Sequence, residues 1–193
     1  MQAGRALTDP DLRLFHLYAV FIVFMTGGGA LAHGLTPDRR AAGIRDVTPE
    51  YLRDMGVCGV IADLDNTLAL PDAVYPTEDG AAWLASMRQA GIPVVVVSNN
   101  SFARVEAFCR PLGVDFVHKS GKPFGRGIRR AVEKLGVPRE RIALIGDQLF
   151  TDVLAASHDR ILCILTEPVV METGYFFRFK RAVERAVGRK RRE

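Results

Sequence analysis

Cysteine and histidine are scarce. The 193-residue chain holds three cysteines, Cys58, Cys109 and Cys163, at unrelated spacings, and four histidines. An odd count with no C-x-x-C pair argues against a disulfide framework or a zinc site and fits buried thiols in a reducing compartment. No H-x-x-H or H-E-x-x-H pattern occurs, so the common zinc-hydrolase signature is missing. There is no internal repeat. Long apolar runs are also wanting. Leu14 to Pro37 carries no Asp, Glu, Lys or Arg, but its strongly apolar part, Phe15 to Met25, is about eleven residues before Gly27-Gly28-Gly29 interrupts it. A spanning helix needs about 20. Three readings of this leader, residues 1–34, stand side by side: a short membrane anchor, a signal peptide ending at Ala30-Leu31-Ala32, and a non-structural leader with the true start at Met25.

What is present describes a globular domain with a charged appendage. Apolar residues make up 48% and charged residues 25% of the chain, which excludes wholesale disorder. The net charge is +4, yet Gly174 to Glu193 alone carries eight Lys/Arg and two Glu. The basic character belongs to the tail, residues 171–193, and the rest is slightly acidic. In that tail Phe176, Phe179, Val183 and Val187 fall at helical spacing, with Arg178, Lys180, Arg181 and Arg185 mostly elsewhere. Such a segment suits an anionic membrane surface. It equally suits a helix packed on the core with a solvated basic face, and Gly188-Arg189-Lys190-Arg191-Arg192 would bind nucleic-acid phosphates.

Between these ends, residues 35–170 alternate strand and helix signals. Thr48-Pro49-Glu50 opens a short helix ending near Met55-Gly56. Val57 to Ala62 reads as a buried strand. Thr77 caps a helix over Glu78–Ala90, stopped by Gly91. Val94 to Val97 is a β-branched run of the kind covered on both faces. Ser101 starts a helix broken at Pro111, and Asp115 to His118 is a short strand. Gly125–Leu135 is helical, Ile142–Ile145 a strand, Thr151–Ala156 a helix and Ile161–Leu165 a strand. This alternation predicts an α/β fold, a doubly wound parallel sheet with helices on both faces.

Ligands in such sheets bind beyond the carboxyl ends of the strands. The residues there read Asp63-Leu64-Asp65-Asn66-Thr67, Ser98-Asn99-Asn100, Lys119-Ser120-Gly121-Lys122-Pro123 and Gly146-Asp147-Gln148-Leu149-Phe150-Thr151-Asp152. Asp63 and Asp65 at one strand end, with Asp147 and Asp152 at another, repel unless a cation intervenes. Oxygen ligands without thiolate or imidazole point to Mg²⁺. Ser98 and Lys122 add a hydroxyl and a fixed cation. Together these groups suit a tetrahedral anion beside a metal, a phosphoryl-transfer site. Each motif alone has a plainer reading as a turn, a helix cap or a surface lysine. Their order, one after each apolar strand, is what speaks for a joint site.

These four motifs resemble those of the haloacid dehalogenase superfamily of aspartate-nucleophile phosphatases, over residues 44–170. With Leu35-Thr36-Pro37-Asp38 and the Thr48-Pro49 helix, the chain also resembles the bacterial YqeG family, which is similar to the yeast mitochondrial phosphatidylglycerophosphate phosphatase. One departure is Ser157-His158-Asp159-Arg160, where many relatives place a glycine before the last strand.

The resemblance implies a Rossmann-like core and roles residue by residue. Asp63 is the nucleophile that forms an aspartyl-phosphate. Asp65 is the acid for the leaving alcohol and then the base for water, and Thr67 orients it. Ser98, Asn99 and Lys122 bind the phosphate, with Lys119 the alternative lysine. Asp63, Asp65 through its carbonyl, Asp147 and Asp152 hold Mg²⁺. A non-catalytic binding protein on the same fold is disfavoured, because no catalytic position is missing.

Only 34 residues separate Asp63 from Ser98, and 23 separate Ser98 from Lys122. Neither gap holds a large cap domain. An open site suits a phosphate displayed on something large: a lipid, a protein or a nucleic-acid end. The implied substrate is phosphatidylglycerophosphate, in phosphatidylglycerol synthesis. The expected location is the cytoplasm, at the inner face of a membrane; for a leader that spans, Arg39, Arg40 and Arg45 just after it would keep the body inside. Nothing in the sequence addresses oligomeric state.

Overall fold

A computed structural model describes residues 35–170. The leader (1–34) and the tail (171–193) lie outside the described residues, and so do the expectations placed on them.

Six strands form one sheet: β1 (Arg39–Ala41), β2 (Gly59–Asp63), β3 (Val94–Val97), β4 (Asp115–Val117), β5 (Ile142–Gly146) and β6 (Leu162–Thr166). Their order is β1-β6-β5-β2-β3-β4, and every pairing is parallel. From β2 the chain winds outward through β3 and β4, then returns to build β5 and β6 on the other side. The direction of winding therefore reverses beside β2, where a crevice opens at the carboxyl ends.

The helices are α1 (Pro49–Asp54), α2 (Glu78–Gln89), α3 (Phe102–Leu112), α4 (Gly127–Leu135) and α5 (Leu154–Asp159). Three begin on hydroxyl caps. Thr48 accepts from Tyr51 N at 3.2 Å, Thr77 from Gly80 N at 3.0 Å and Ser101 from Arg104 N at 3.5 Å.

Side chains alternate across the sheet. Val60, Ala62, Val96, Ala143, Ile145 and Ile164 form one face. Leu52 of α1, Trp83 and Met87 of α2 and Phe108 of α3 pack on that face. The buried Trp83 donates to the Val47 carbonyl at 2.7 Å, which satisfies its ring N–H. Ile61, Val95, Val97 and Leu144 point to the other face and are buried, where α4 lies against β2 and β3. Cys109 and Cys163 are buried free thiols, and burial pushes the Cys109 thiol up to about 12.

The strand and helix pattern follows the sequence reading, with four differences. β1 carries no apolar signal, because its residues are half-exposed or exposed. Asp38 just before it accepts from Cys163 N at 2.8 Å, and pairing with β6 makes it a strand. Pro111 does not break α3, which runs to Leu112 before Gly113 turns it at φ 64°. α4 begins at Gly127 and not Gly125, because residues 121–125 close a tight turn through Phe124 N and Gly125 N on the Gly121 carbonyl. The expected helix from Thr151 is a π-helical turn, Leu149–Val153, followed by α5. Such widened turns frequently mark functional sites.

Candidate active site

The carboxyl ends of β2, β3 and β5 and the loop after β4 bring the four motifs together. Asp63 ends β2, Ser98 follows β3 and Asp147 follows β5. One carboxylate oxygen from each of Asp63, Asp147 and Asp152 lies within 4.8 Å of the others, and all three residues are buried. The π-helical turn carries Asp152 back over Gly146. A side chain at Gly146 would collide with the Asp152 carboxyl group, so the strand must end in glycine there. Asp152 Oδ2 also accepts from Gln148 N at 3.1 Å, which fixes its orientation.

Lys122 is the counter-charge. Its side chain is 4% exposed, and Nζ lies 2.6 Å from Asp63 Oδ1 and 2.6 Å from Asp152 Oδ1. Nζ donates a third bond to the Val97 carbonyl at 3.3 Å. Burial alone would lower the Lys122 pKa, but Asp152 and Asp63 outweigh it and hold the ammonium above the usual lysine range. Burial pushes Asp63 the other way, from 3.8 to about 7, against the pull of Lys122 and with added repulsion from Asp152. Three buried carboxylates thus share one lysine and remain short of positive charge. Lys119 is exposed on the same loop, so Lys122 alone takes the buried position.

Asp65 stands apart from this trio. Its carboxylate accepts from Asn100 Nδ2 at 2.7 Å and from Arg104 Nη2 at 3.0 Å, and Asp72 N approaches at 3.4 Å. Asn100 and Arg104 were not singled out in the sequence. They lie 35 and 39 residues from Asp65, and a lone asparagine in a turn or arginine on a helix carries no signal of its own. Thr67, expected to orient Asp65, is buried with its hydroxyl making no hydrogen bond among the described residues. The orienting groups are Asn100 and Arg104.

Asn99, expected at the phosphate, also clasps the lysine loop. Its Oδ1 accepts from Ser120 Oγ at 2.6 Å and from Lys122 N at 2.9 Å, and its Nδ2 donates to the Lys122 carbonyl at 3.2 Å. Its amide holds the lysine loop in place, and the second Nδ2 hydrogen is left at the cleft. Ser98 Oγ accepts from Asn100 N at 3.1 Å and keeps its own proton to donate.

These groups line a cleft of about 160 Å³ that includes Asp63, Asp65, Ser98, Lys122 and Thr151. A larger cavity of about 350 Å³ lies at the opposite, amino end of the sheet around Arg88 and Asp115. It has no acidic cluster and no strand-end motif, so the smaller cleft is the chemical one.

The haloacid dehalogenase-like hydrolase family matches residues 18–158, a span that begins earlier than the motifs alone do. The chain is 41% identical over 151 residues to the probable phosphatase YqeG of Bacillus subtilis, covering 78% of this chain and 88% of that protein. It is 27% identical over 168 residues to the chloroplastic phosphatidylglycerophosphate phosphatase 1 of Chlamydomonas reinhardtii, covering 80% of this chain and 61% of that protein. A solved structure of an uncharacterized protein from Listeria monocytogenes serotype 4b aligns at 15% identity with a TM-score of 0.47, over 56% of this chain and 78% of that one. With its parallel sheet, its uncapped strand ends and its buried aspartates, the chain belongs to the haloacid dehalogenase-like hydrolases and is an enzyme of their phosphatase type.

Proposed function

We propose that the protein is a Mg²⁺-dependent phosphomonoester hydrolase working through an aspartyl-phosphate on Asp63, and that its substrate is phosphatidylglycerophosphate at the inner face of a membrane. The observation that carries the reading is the buried Asp63–Lys122–Asp152 contact beside Asp147 at the strand ends.

The residues fit the ion. Three buried oxygen donors with one lysine leave a net negative site with no soft ligand, which suits a hard divalent cation. Asp63, Asp147 and Asp152 would hold it, together with the main-chain carbonyl of Asp65. Bound there, Mg²⁺ draws charge from the phosphoryl oxygens. The chain's own residues do the rest. Asp63 attacks phosphorus, the bond to the leaving oxygen breaks, and Asp65 gives that oxygen its proton. Asp65 then takes a proton from water, the water oxygen bonds phosphorus, and phosphate leaves with the Asp63 carboxylate restored. Lys122 and the Ser98 hydroxyl hold the phosphoryl oxygens, while Asn99 holds the lysine loop.

The substrate reading rests on the named relatives and on the size of the cleft. About 160 Å³ takes a phosphoryl group and little else, against about 300–1,000 Å³ for pockets that engulf a small molecule. The rest of the substrate stays outside, which suits a head group still anchored in lipid. Among the described residues no helix is long and apolar enough to cross a membrane. Residues 174–193, of net charge +6, suit an anionic bilayer. The competing reading is a phosphate on a protein or nucleic-acid end, favoured by the same tail.

The test compares phosphate release from phosphatidylglycerophosphate in vesicles, a phosphopeptide and a 5′-phosphorylated oligonucleotide, with and without Mg²⁺. Fastest Mg²⁺-dependent release from the lipid supports the proposal. Faster release from either of the others would replace the substrate.

A further inference from the structure

Among the described residues, seven large apolar side chains face solvent. All seven lie at the carboxyl end of the sheet. Leu70, Val74 and Tyr75 sit in the loop between β2 and α2, and Tyr75 is 74% exposed. Phe102 opens α3 directly after β3, and Phe124 follows Lys122 in the loop before α4. Val169 and Val170 follow β6. The loops at the amino end of the sheet expose none of this kind among the described residues. Chance does not favour such segregation. Solvent-facing apolar residues are normal when scattered singly, and their concentration at one end marks an interaction surface.

We propose that the carboxyl end of the sheet is a lipid-docking face. Its apolar loops enter the interfacial layer of an anionic bilayer and bring the catalytic cleft onto a phosphate at head-group depth. The proposal rests on the lipid-phosphatase reading above and names the surface that would serve it.

Three observations choose a bilayer as the occupant. First, the residues come from four separate connections, after β2, β3, β4 and β6. A continuous apolar medium can meet residues spread over four connections. Second, the connection after β6 is tied to the catalytic loop: Val169 N donates to the Asn66 carbonyl at 3.0 Å and Val170 N to Asn66 Oδ1 at 3.2 Å. Asn66 is the residue after Asp65, so this edge of the docking face is held in register with the site. Third, the chain beyond Val170 continues within a few residues into the segment of net +6 with four aromatics, Tyr175, Phe176, Phe177 and Phe179. That charge complements anionic lipid, each basic residue near the surface contributing about 1 kcal/mol. The remainder of the chain is slightly acidic, so attraction comes from the tail and depth of insertion from the loops.

The experiment uses the full chain and the double variant Val74→Asp/Tyr75→Asp, two loop residues outside the catalytic machinery. Co-sedimentation is measured with vesicles of phosphatidylcholine containing phosphatidylglycerol. Turnover of a soluble aryl phosphate and of vesicle-borne phosphatidylglycerophosphate is measured beside it, with oligomeric state by light scattering and folding by circular dichroism. The expected result is vesicle binding weakened about tenfold or more, lipid turnover reduced with it, and aryl phosphate turnover and fold unchanged. A second variant, Val169→Asp, should act in the same direction.

Vesicle binding unchanged in both variants would overturn the docking face, while lipid turnover by the unaltered chain would leave the substrate reading standing. Vesicle binding lost in the variants with no lipid turnover by the unaltered chain would do the reverse. A dimer that the variants dissociate, with no vesicle binding, overturns the proposal in favour of a second copy. Loss of aryl phosphate turnover by a folded variant overturns it by returning these loops to the active site.

Discussion

The two ends of the sheet are built from the same strands and carry opposite chemistry. At the amino end the chain turns back on residues in the left-handed region: Gly56, Gly91, Gly113 and Gly136, with φ from 64° to 74°, and Arg160 at 54°. At the carboxyl end the connections are longer and polar groups go inside. Of the nine buried polar or charged residues among those described, eight lie there, from Asp63 and Ser98 to Asp152 and Thr166. The ninth, Asp159, closes α5 near the amino end and faces Arg129 at 3.6 Å and Arg139 at 3.4 Å. The amino end satisfies its backbone locally and spends little charge. The carboxyl end accumulates buried carboxylates that a stable fold alone has no reason to gather. One end supports the fold and the other performs the reaction.

The sharpest way to separate the two is to remove charge at the carboxyl end. Asp63→Asn should lower aryl phosphate turnover by about four orders of magnitude or more, with the circular dichroism spectrum unchanged. Burial already disfavours the charged form of Asp63, so its neutral amide should not cost stability, and a thermal melt checks this. Lys122→Met acts on both properties. It leaves three buried carboxylates with no lysine among them, which should abolish turnover and destabilise the metal-free protein by about 3–5 kcal/mol. Urea unfolding with and without Mg²⁺ measures the loss.

A smaller effect is expected one step from the reacting atoms. Arg104→Ala and Asn100→Ala each remove one side-chain donor from the Asp65 carboxylate. Each should lower kcat by about 10²-fold with KM nearly unchanged, because an acid–base group contributes about 10²–10⁴-fold and works only when placed. A shifted pH–rate profile, with Arg104→Lys recovering part of the rate, distinguishes positioning from general damage.

The smallest effects belong to the amino end. Gly136→Ala meets open space but must adopt φ 64°, so it should cost about 1–2 kcal/mol and leave turnover alone. Arg160→Gly is the counterpart. It relieves a non-glycine residue at φ 54° and should stabilise by about 1 kcal/mol or somewhat less, read as a raised melting temperature.

The same contrast explains what could be read in advance. Asp63, Ser98 and Asp147 follow the apolar runs Val57–Ala62, Val94–Val97 and Ile142–Ile145, with Lys122 in the loop after β4, and the strand pattern alone puts them at one end. The Ser157–Arg160 departure falls at an amino-end turn where Arg160, and not a glycine, occupies the left-handed position. Contacts across distance were not legible. The Arg104 bond to Asp65 and the Asn99 clasp on the lysine loop depend on how α3 and the 119–125 loop dock, which no local pattern encodes. The orienting role of Thr67 is implied by the resemblance alone, and its buried hydroxyl makes no hydrogen bond among the described residues. β1 escaped because a three-residue edge strand of exposed arginines gains its identity only by pairing with β6.

The central claim is that Asp63 carries the phosphoryl group and Asp65 completes its removal. Asp65→Asn tests it directly with an aryl phosphate, whose leaving group departs without an acid. In that variant the first step should proceed while attack by water stalls for want of a base. Acid quenching followed by peptide mass analysis should then recover one phosphoryl group on the peptide containing Asp63. Recovery of the group on another residue, or sustained turnover with no phosphoryl group on Asp63, would contradict the account.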